Sequence, residues 1–600
     1  MLNQLHLIDW IVLIFFLFLM PLAGILVSLG KKNSEDYFMA GHSLRWWAVA
    51  GSVFGTNINS SHLIGMLGIG YSVGFAQSHY ELLPVAAILL LCYVFLPTYR
   101  RLKVFTLSQF LEYRYNEHAR LVYTILMILL ILVQLVAGFY IGSRTLLFLF
   151  KGTGVELAYW QGILIIGLMS CSYTIFGGLG AVVVTDTLQT LMMLLAGIIV
   201  AYFTFTQPEI GGFFGLLSLD QAQPLAEQKM HLYLPSNHPN LPWTGVFTGL
   251  IILHSFYFTT NQYLVQRVLA AKTDEDARIG IIASGFLKLT VPFFSIAAGV
   301  AAAYLFKIRF ANQNILPDDA FLTLVGAVVP LGYGLTGMIL AGLTAATFSS
   351  VDSMMNSVST LLTLDVYKKY INSQASDNQM VAFGRYAVFG MVILSGFLAW
   401  VSYEPTSAGN FFLTVSAQGS YFTQGVLVAF LTGILWKRSN PTAAVIVMLI
   451  APFFAFGIEL LYNHWLAKYL GLIPFFGEKL NFLHRVLLTF LFCLSLQTIL
   501  SWVLKNKKVI VDNVYLHTSS KDLLWIAYFV VVQCFLLLLI QFKIFNFKYL
   551  ALPAGFLTML LFCGICIVDN NKKRNNLLTD SRLYAGILSS ITVFFLYYFF

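Results

Sequence analysis

Ser349, Asp352, Ser353 and Asn356 stand at i, i+3, i+4 and i+7, the spacing that gathers side chains on one face of a helix. They lie in a long apolar run, and hydroxyls, carbonyls and a carboxylate are the ligands a hard monovalent cation takes. A second polar string, Gly55-Thr56-Asn57-Ile58-Asn59-Ser60-Ser61-His62, interrupts another apolar run. Two arrangements suit it: an unwound helix whose free carbonyls line a cavity, or a polar interface with Ser and Asn bonding to a neighbouring helix. His254, Tyr257, Thr259, Thr260, Asn261 and Gln262 punctuate a third run and suggest a second interruption. Paired interruptions in two halves point to an inverted repeat with a midplane site. Lys288, inside a fourth run, must find an acceptor, snorkel or sit in water. Asp186 is either a cation ligand or an acid favoured by a helix N-terminus. Glu81 opens a run near the outer surface, as an exposed cap or as the rim of a binding site.

The elements that position these groups are membrane spans. Of 600 residues, 58% are hydrophobic and 10% charged, with a mean hydropathy of +0.80. A soluble chain carries roughly 25% charged residues. A window of roughly 20 apolar residues finds about sixteen runs. They are 7–29, 46–74, 80–99, 121–150, 158–177, 181–206, 242–269, 279–307, 323–365, 381–402, 408–436, 441–463, 481–504, 522–542, 548–568 and 581–600. The first continues without a basic leader or cleavage site and reads as a retained span.

The net charge of +9 sits in short basic clusters between runs, which speaks for cytoplasmic loops and against nucleic acid. Arg100, Arg101 and Lys103, Lys368 and Lys369, and Lys437 and Arg438 all fall on one side when both termini are placed outside. The loop 207–242 on the other side carries Glu209, Asp220 and Glu227 against Lys229. The loops are too short to fold alone, which excludes an extramembrane enzyme or sensor domain. No glycine-rich phosphate loop, nucleophile elbow or metal-ligand cluster speaks for catalysis. Cys563 and Cys566 form C-x-x-C within a lipid-embedded run and read as packing residues, not as a metal or redox pair.

Ordered motifs over roughly residues 35–440 carry a family resemblance. They include Tyr37-Phe38-Met39-Ala40-Gly41-His42-Ser43-Leu44-Arg45-Trp46-Trp47, Gly177-Gly178-Leu179-Gly180-Ala181-Val182 with Asp186 and Gln189, and Gln266-Arg267-Val268-Leu269-Ala270-Ala271-Lys272. Phe286-Leu287-Lys288, Ser349-Ser350 through Asn356-Ser357, and Thr363-Leu364-Asp365-Val366-Tyr367 follow in order. The chain resembles the sodium/solute symporters, and within them the sodium/glucose cotransporter branch, including bacterial sodium/galactose symporters.

The resemblance implies an all-α polytopic membrane protein with a LeuT-like fold and about 14–16 transmembrane helices. It implies an extra helix in 1–35, five-helix inverted repeats in 36–240 and 241–440, and accessory helices in 441–600. It implies a sodium site on the carbonyls of Gly55, Ile58 and Ala346 and the hydroxyls of Ser349 and Ser350. A second cation site would use Asp186, Asp352 and Ser353, with a carboxylate at 352 where a small or hydroxyl residue is the rule. For solute it implies Asn57, His62, Glu81 and Lys288, with Tyr257 as an aromatic gate, His254 as a second polar contact and Asn261 at the second interruption. Ser416 or nearby Gln418 stands where the branch places a glutamine.

The expected function is sodium-coupled import of a galactose- or glucose-like monosaccharide by alternating access. The alternatives are inositol, a sialic or other sugar acid, an amino or organic acid, or a non-transporting sugar sensor. The expected partners are sodium, a small solute and the lipid bilayer. The chain is expected as a monomer or weak homodimer in a bacterial inner membrane.

Overall fold

A computed structural model describes residues 5–28, 33–58, 60–150, 157–311, 313–402, 411–469, 471–504, 547–573 and 580–600. The expected run 522–542 lies outside the described residues. Among the described residues there are no strands, and ten helices are long and apolar enough to cross a membrane. That is fewer than the sixteen runs read from hydropathy: some runs divide into shorter helices, Tyr159–Phe205 joins two of them, and 522–542 lies outside the described residues.

The run 46–74 divides into Trp46–Asn57 and Ser60–Ser72, and the run 242–269 breaks between Ile251–Thr259 and Gln262–Leu269. The run 323–365 splits into Ala320–Val328 and Leu335–Leu361. Gly332 and Gly334 turn the chain between them at φ 86° and 78°, a region open to glycine at little cost.

The helix Tyr159–Phe205 spans 47 residues, about 70 Å if straight, more than twice a hydrocarbon core. It is not straight. Gly178 takes φ 57° and ψ −153°, and Gln189 Nε2 reaches the Tyr173 hydroxyl at 3.5 Å although sixteen residues separate them. The chain therefore doubles back at Gly178, and the two runs expected at 158–177 and 181–206 are two antiparallel arms. A Cβ at Gly178 would stand 2.3 Å from the Tyr37 carbonyl oxygen, so the turn is also a close packing point.

The helices sort by burial. Leu335–Ile371 and Asp274–Arg309 are enclosed by protein over most of their apolar stretch, whereas Leu7–Val27, Pro441–Tyr469 and Phe482–Val503 are fully buried over less than a third of theirs. Helices that are apolar on all sides belong against lipid, and the polar ones must be enclosed. The enclosed helices are the ones carrying Lys288 and the Ser349–Asn356 stripe. Leu44 pairs with Ala271 in an isolated parallel bridge, Lys272 N donating to Leu44 O at 2.8 Å. This ties the entrance of the first broken helix to the exit of the second.

Candidate cation and solute site

The first break is local chemistry. The helix Trp46–Asn57 ends where Ile58 turns extended (φ −95°, ψ 113°), and its last carbonyls lose their helical partners. The side chains of Ser60 and Ser61, and all of Asn59, lie outside the described residues. The break faces the helix Leu335–Leu361, and Gly55 makes the approach close. A Cβ there would stand 2.7 Å from Thr190 Oγ1, 2.9 Å from Asp186 O and 3.1 Å from Ser349 Oγ. Ser350 Oγ donates to Thr56 O at 3.5 Å, and the Thr56 and Ser353 hydroxyls are 2.9 Å apart. Ala346, Ser349 and Ser350 fall at i, i+3 and i+4 on one buried face. A backbone carbonyl at the end of the first broken helix thus meets the Ser350 hydroxyl in a buried setting, with Ser349 beside it, a donor set suited to a small hard cation.

Asp186 lies beside this set, fully buried. Ser349 Oγ donates to its Oδ1 at 2.5 Å and Ser52 Oγ to its Oδ2 at 2.6 Å. The fully buried Arg267 guanidinium approaches Oδ2 at 3.5 Å, donates to Ser52 Oγ at 2.8 Å, and bonds Ser353. Arg267 entered the sequence reading only as part of a motif. Its charge inside an apolar span was the available signal.

Asp352, grouped with Asp186 in the sequence reading, has a separate partner. The Tyr173 hydroxyl donates to its Oδ2. Ser353 sits with Asp186 and Arg267, while Asp352 faces the first arm of the doubled helix.

The second break comes after Thr260, where Asn261 turns extended and caps Gln262–Leu269, its Oδ1 accepting from Tyr263 N at 3.3 Å. Between the two breaks lies a cavity of about 180 Å³. Asn57, His62, Tyr80, Gln134, His254, Tyr257, Tyr263, Phe412 and Ser416 are among its walls. Phe412 lies edge-on to both His62 and Tyr80, with ring centroids 4.8 and 5.2 Å apart. Tyr257 packs edge-on against Tyr263, whose hydroxyl donates to Gln134 Oε1 at 2.8 Å. Apolar and aromatic walls with a few convergent polar groups are the ordinary make-up of a small-solute pocket.

Not every expected solute residue reaches this cavity. Glu81 is not at an exposed rim: it is fully buried, with Lys288 Nζ 2.6 Å from its Oε2. Lys288 also donates to Asn57 Oδ1. The pair stands behind the cavity wall and touches it through Asn57. Asn261 caps a helix and does not line the cavity. Gln418 is exposed, whereas Ser416 is on the wall. Tyr80, Gln134, Tyr263 and Phe412 were missed by sequence reasoning. Gln134, an amide in the middle of an apolar run, carried a signal, and the aromatic residues carried none.

The model of the sodium:solute symporter family matches residues 37–451. The chain belongs to this family. Over 433 residues it is 33% identical to the sodium/glucose cotransporter of Vibrio parahaemolyticus, covering 69% of this chain and 78% of the relative. It is 34% identical over 453 residues to the human sodium/myo-inositol cotransporter, covering 69% and 61%. The solved structure of a sodium-coupled sialic acid symporter, substrate-bound and outward-open, superposes with a TM-score of 0.71 at 22% identity. It covers 84% of this chain and all of that one, and confirms the fold. The symporter is therefore an integral membrane protein that couples a small solute to sodium. Transport, not catalysis, is the activity of its relatives.

Proposed function

We propose that this symporter carries an uncharged, hydroxyl-rich ring solute, a galactose- or glucose-like monosaccharide, into the cell. The observation that carries the reading is the Glu81–Lys288–Asn57 group at the first helix break. Glu81 and Lys288 neutralise each other behind the wall, so Asn57 presents its donors and acceptor to the cavity with no net charge beside it. Such a site disfavours a carboxylate-bearing solute, whose charge would be buried unpaired. His62, His254 and Ser416 add polar contacts on the walls, and Tyr257 closes the cytoplasmic side. A cyclic polyol such as myo-inositol presents the same hydroxyl chemistry, and the resemblance to sodium/myo-inositol cotransporters favours it as the second reading.

Sodium binds first in this scheme, to the carbonyls of Gly55, Ile58 and Ala346 and the hydroxyls of Ser349 and Ser350. It fixes the first break against Leu335–Leu361 and thereby presents Asn57 to the solute. The repeats 36–240 and 241–440 then rock about the site. In this reading the basic loops are cytoplasmic, both termini are outside, and the membrane is a bacterial inner membrane.

The test is uptake of radiolabelled galactose, glucose and myo-inositol into proteoliposomes, with and without an inward sodium gradient. Sodium-driven uptake of one compound, lost in Ser350→Ala and in Lys288→Ala, is the expected result. Silence toward all three from folded protein refutes the ring-solute reading.

A further inference from the structure

One wall of the cavity is built on an irregular turn. Its helix runs Phe411–Gly419, tightens to a short 3₁₀ turn at Ser420–Phe422 and resumes at Gln424–Leu435. Ser416, Gly419, Ser420 and Thr423 line the cavity at i, i+3, i+4 and i+7, so the wall straddles that turn. Ser416 Oγ donates to Phe412 O at 2.8 Å and Thr423 Oγ1 donates to Ser420 O at 3.2 Å. Both protons are spent inside the helix, which leaves the two oxygens as acceptors for solute hydroxyls.

The turn is gripped from an accessory helix. Arg485, near the start of Phe482–Val503, is 3% exposed. Its Nη2 donates to Ala417 O and to Ser420 Oγ, at 2.7 Å each. Its guanidinium carbon stands 3.6 Å from the centre of the Tyr421 ring, a cation–π contact. Its Nη1 donates to Glu459 Oε2, on the helix Pro441–Leu461, and the Tyr421 hydroxyl donates to the same oxygen at 2.5 Å. One planar fork therefore fixes residues 417, 420 and 421 together. Its own helix does not favour the residue: a cation near a helix N-terminus opposes the macrodipole, and a buried cation in a span is costly. The Glu459 side chain is 30% exposed and open to water, so the charge is not there to rescue a buried acid. Arg485 does not itself line the cavity, and it lies beyond residues 37–451, which the family model matches.

We propose that Arg485 is a positioning residue for solute selection: it sets the turn 417–422, and with it the spacing of the Ser416 and Thr423 oxygens that choose among ring solutes. The role rests on the cavity being the solute site. Lysine cannot take it over, because a single ammonium cannot span the Ala417 carbonyl, the Ser420 hydroxyl and Glu459 while covering the Tyr421 face. The grip does not involve Gly55, Ser349 or Ser350, so sodium binding in the absence of solute is independent of it.

The test has two readouts. Hydrogen–deuterium exchange of the full-length protein in lipid nanodiscs, without solute, reads the turn itself. Arg485→Lys should speed exchange in peptides covering 412–424 by about tenfold, the worth of one lost hydrogen bond to a charged group, and leave peptides covering 46–57 and 335–361 unchanged. Arg485→Met combined with Glu459→Met removes both charges and strands neither, so it reports on the turn even if the single variant does not fold, and it should behave alike. Uptake of radiolabelled galactose, glucose and myo-inositol into proteoliposomes reads selection. Either variant should raise the half-saturating concentration of the carried compound by about tenfold and narrow its preference over the other two, while keeping the maximal rate. A merely structural residue would lower folded yield and maximal rate and leave half-saturation and preference alone. Folded variants with wild-type exchange at 412–424 overturn the proposal, and so does faster exchange there with wild-type half-saturation and preference. Wild-type silence toward all three compounds refutes the ring-solute reading instead, and the exchange result alone then upholds or overturns the role of Arg485.

Discussion

Replacing Glu81 by Gln and Lys288 by Met, singly and together, tests whether the two residues act as one neutral unit. The Lys288 Nζ to Glu81 Oε2 distance is 2.6 Å, and the side chains are 3% and 1% exposed. Glu81→Gln strands a buried ammonium with only neutral amide oxygens, the new one and that of Asn57, to accept from it. Lys288→Met strands a buried carboxylate whose Oε1 already lacks a hydrogen-bond partner. Removing one member of a buried pair costs about 3–5 kcal/mol. The double variant removes both charges and leaves mainly the unpaired Asn57 amide oxygen, a loss of about 1–3 kcal/mol. The singles therefore sum to about 6–10 kcal/mol against a far smaller double, an interaction of at least about 3 kcal/mol. Reversible unfolding in mixed micelles, titrated with dodecyl sulfate, reads all four proteins. Additivity within about 0.5 kcal/mol would refute the reasoning, because it would mean that the charges are hydrated independently. Uptake gives a second reading: the double variant should fold and still fail to carry solute, since the ammonium that holds Asn57 at the cavity wall is gone.

Gly55→Ala forces a methyl group to 3.1 Å from Ser349 Oγ and 2.7 Å from Thr190 Oγ1, so sodium affinity should fall at least tenfold, about 1.4 kcal/mol, in equilibrium binding of ²²Na⁺ to the purified protein in lipid nanodiscs. Gly178→Ala places a Cβ 2.3 Å from the Tyr37 carbonyl at a backbone angle other residues rarely adopt. It should cost at least about 1–3 kcal/mol, seen as a lower melting temperature and reduced folded yield. Arg120→Ala leaves the buried Asp365, now 2.6 Å from the guanidinium, without its cation, and should destabilise by about 3–5 kcal/mol in the same unfolding titration. Ser416→Ala should raise the solute concentration for half-maximal uptake, whereas Gln418→Ala, at an exposed position off the cavity, should leave it unchanged.

Both helix breaks were legible in the sequence, for one physical reason: polar residues are too costly in a span to stand there without a task. The strings Gly55–His62 and Thr259–Gln262 announced themselves as composition. The Ser349–Asn356 stripe was legible by periodicity. The turn at 329–334 was hidden from a hydropathy window because Val329, Pro330 and Leu331 are apolar, although Pro330, Gly332 and Gly334 were punctuation in plain view. The pairings were not legible. Asp186 with Arg267, Asp352 with Tyr173 and Glu81 with Lys288 join positions 81, 179 and 207 residues apart. Periodicity reports which face a residue occupies and says nothing of what a distant helix brings to it. Glu81 shows the limit: its place at the head of a run suggested an exposed rim, and only packing puts it in the interior.

The arrangement explains why ion and solute should be coupled rather than merely neighbours. Gly55, Asn57 and Ile58 lie within four consecutive positions of one broken turn. The Thr56 carbonyl of that turn accepts from Ser350 Oγ, and the next side chain, Asn57, accepts from Lys288. A cation that fixes the carbonyls restricts Asn57, and a solute that fixes Asn57 restricts the carbonyls. Whatever factor sodium contributes to solute affinity, the solute must return to sodium. The Ser52–Arg267–Asp186–Ser349 network extends this linkage across both breaks. Ser52 belongs to the first broken helix, Arg267 to the second, Asp186 to the returning arm and Ser349 to Leu335–Leu361. Four elements meet at one buried ion pair. Weakening that pair gently, by Ser52→Ala rather than by removing a charge, should therefore reduce the mutual effect of sodium and solute by more than it reduces the binding of either alone. Equal, independent losses in the two affinities would show that the pair only holds the fold.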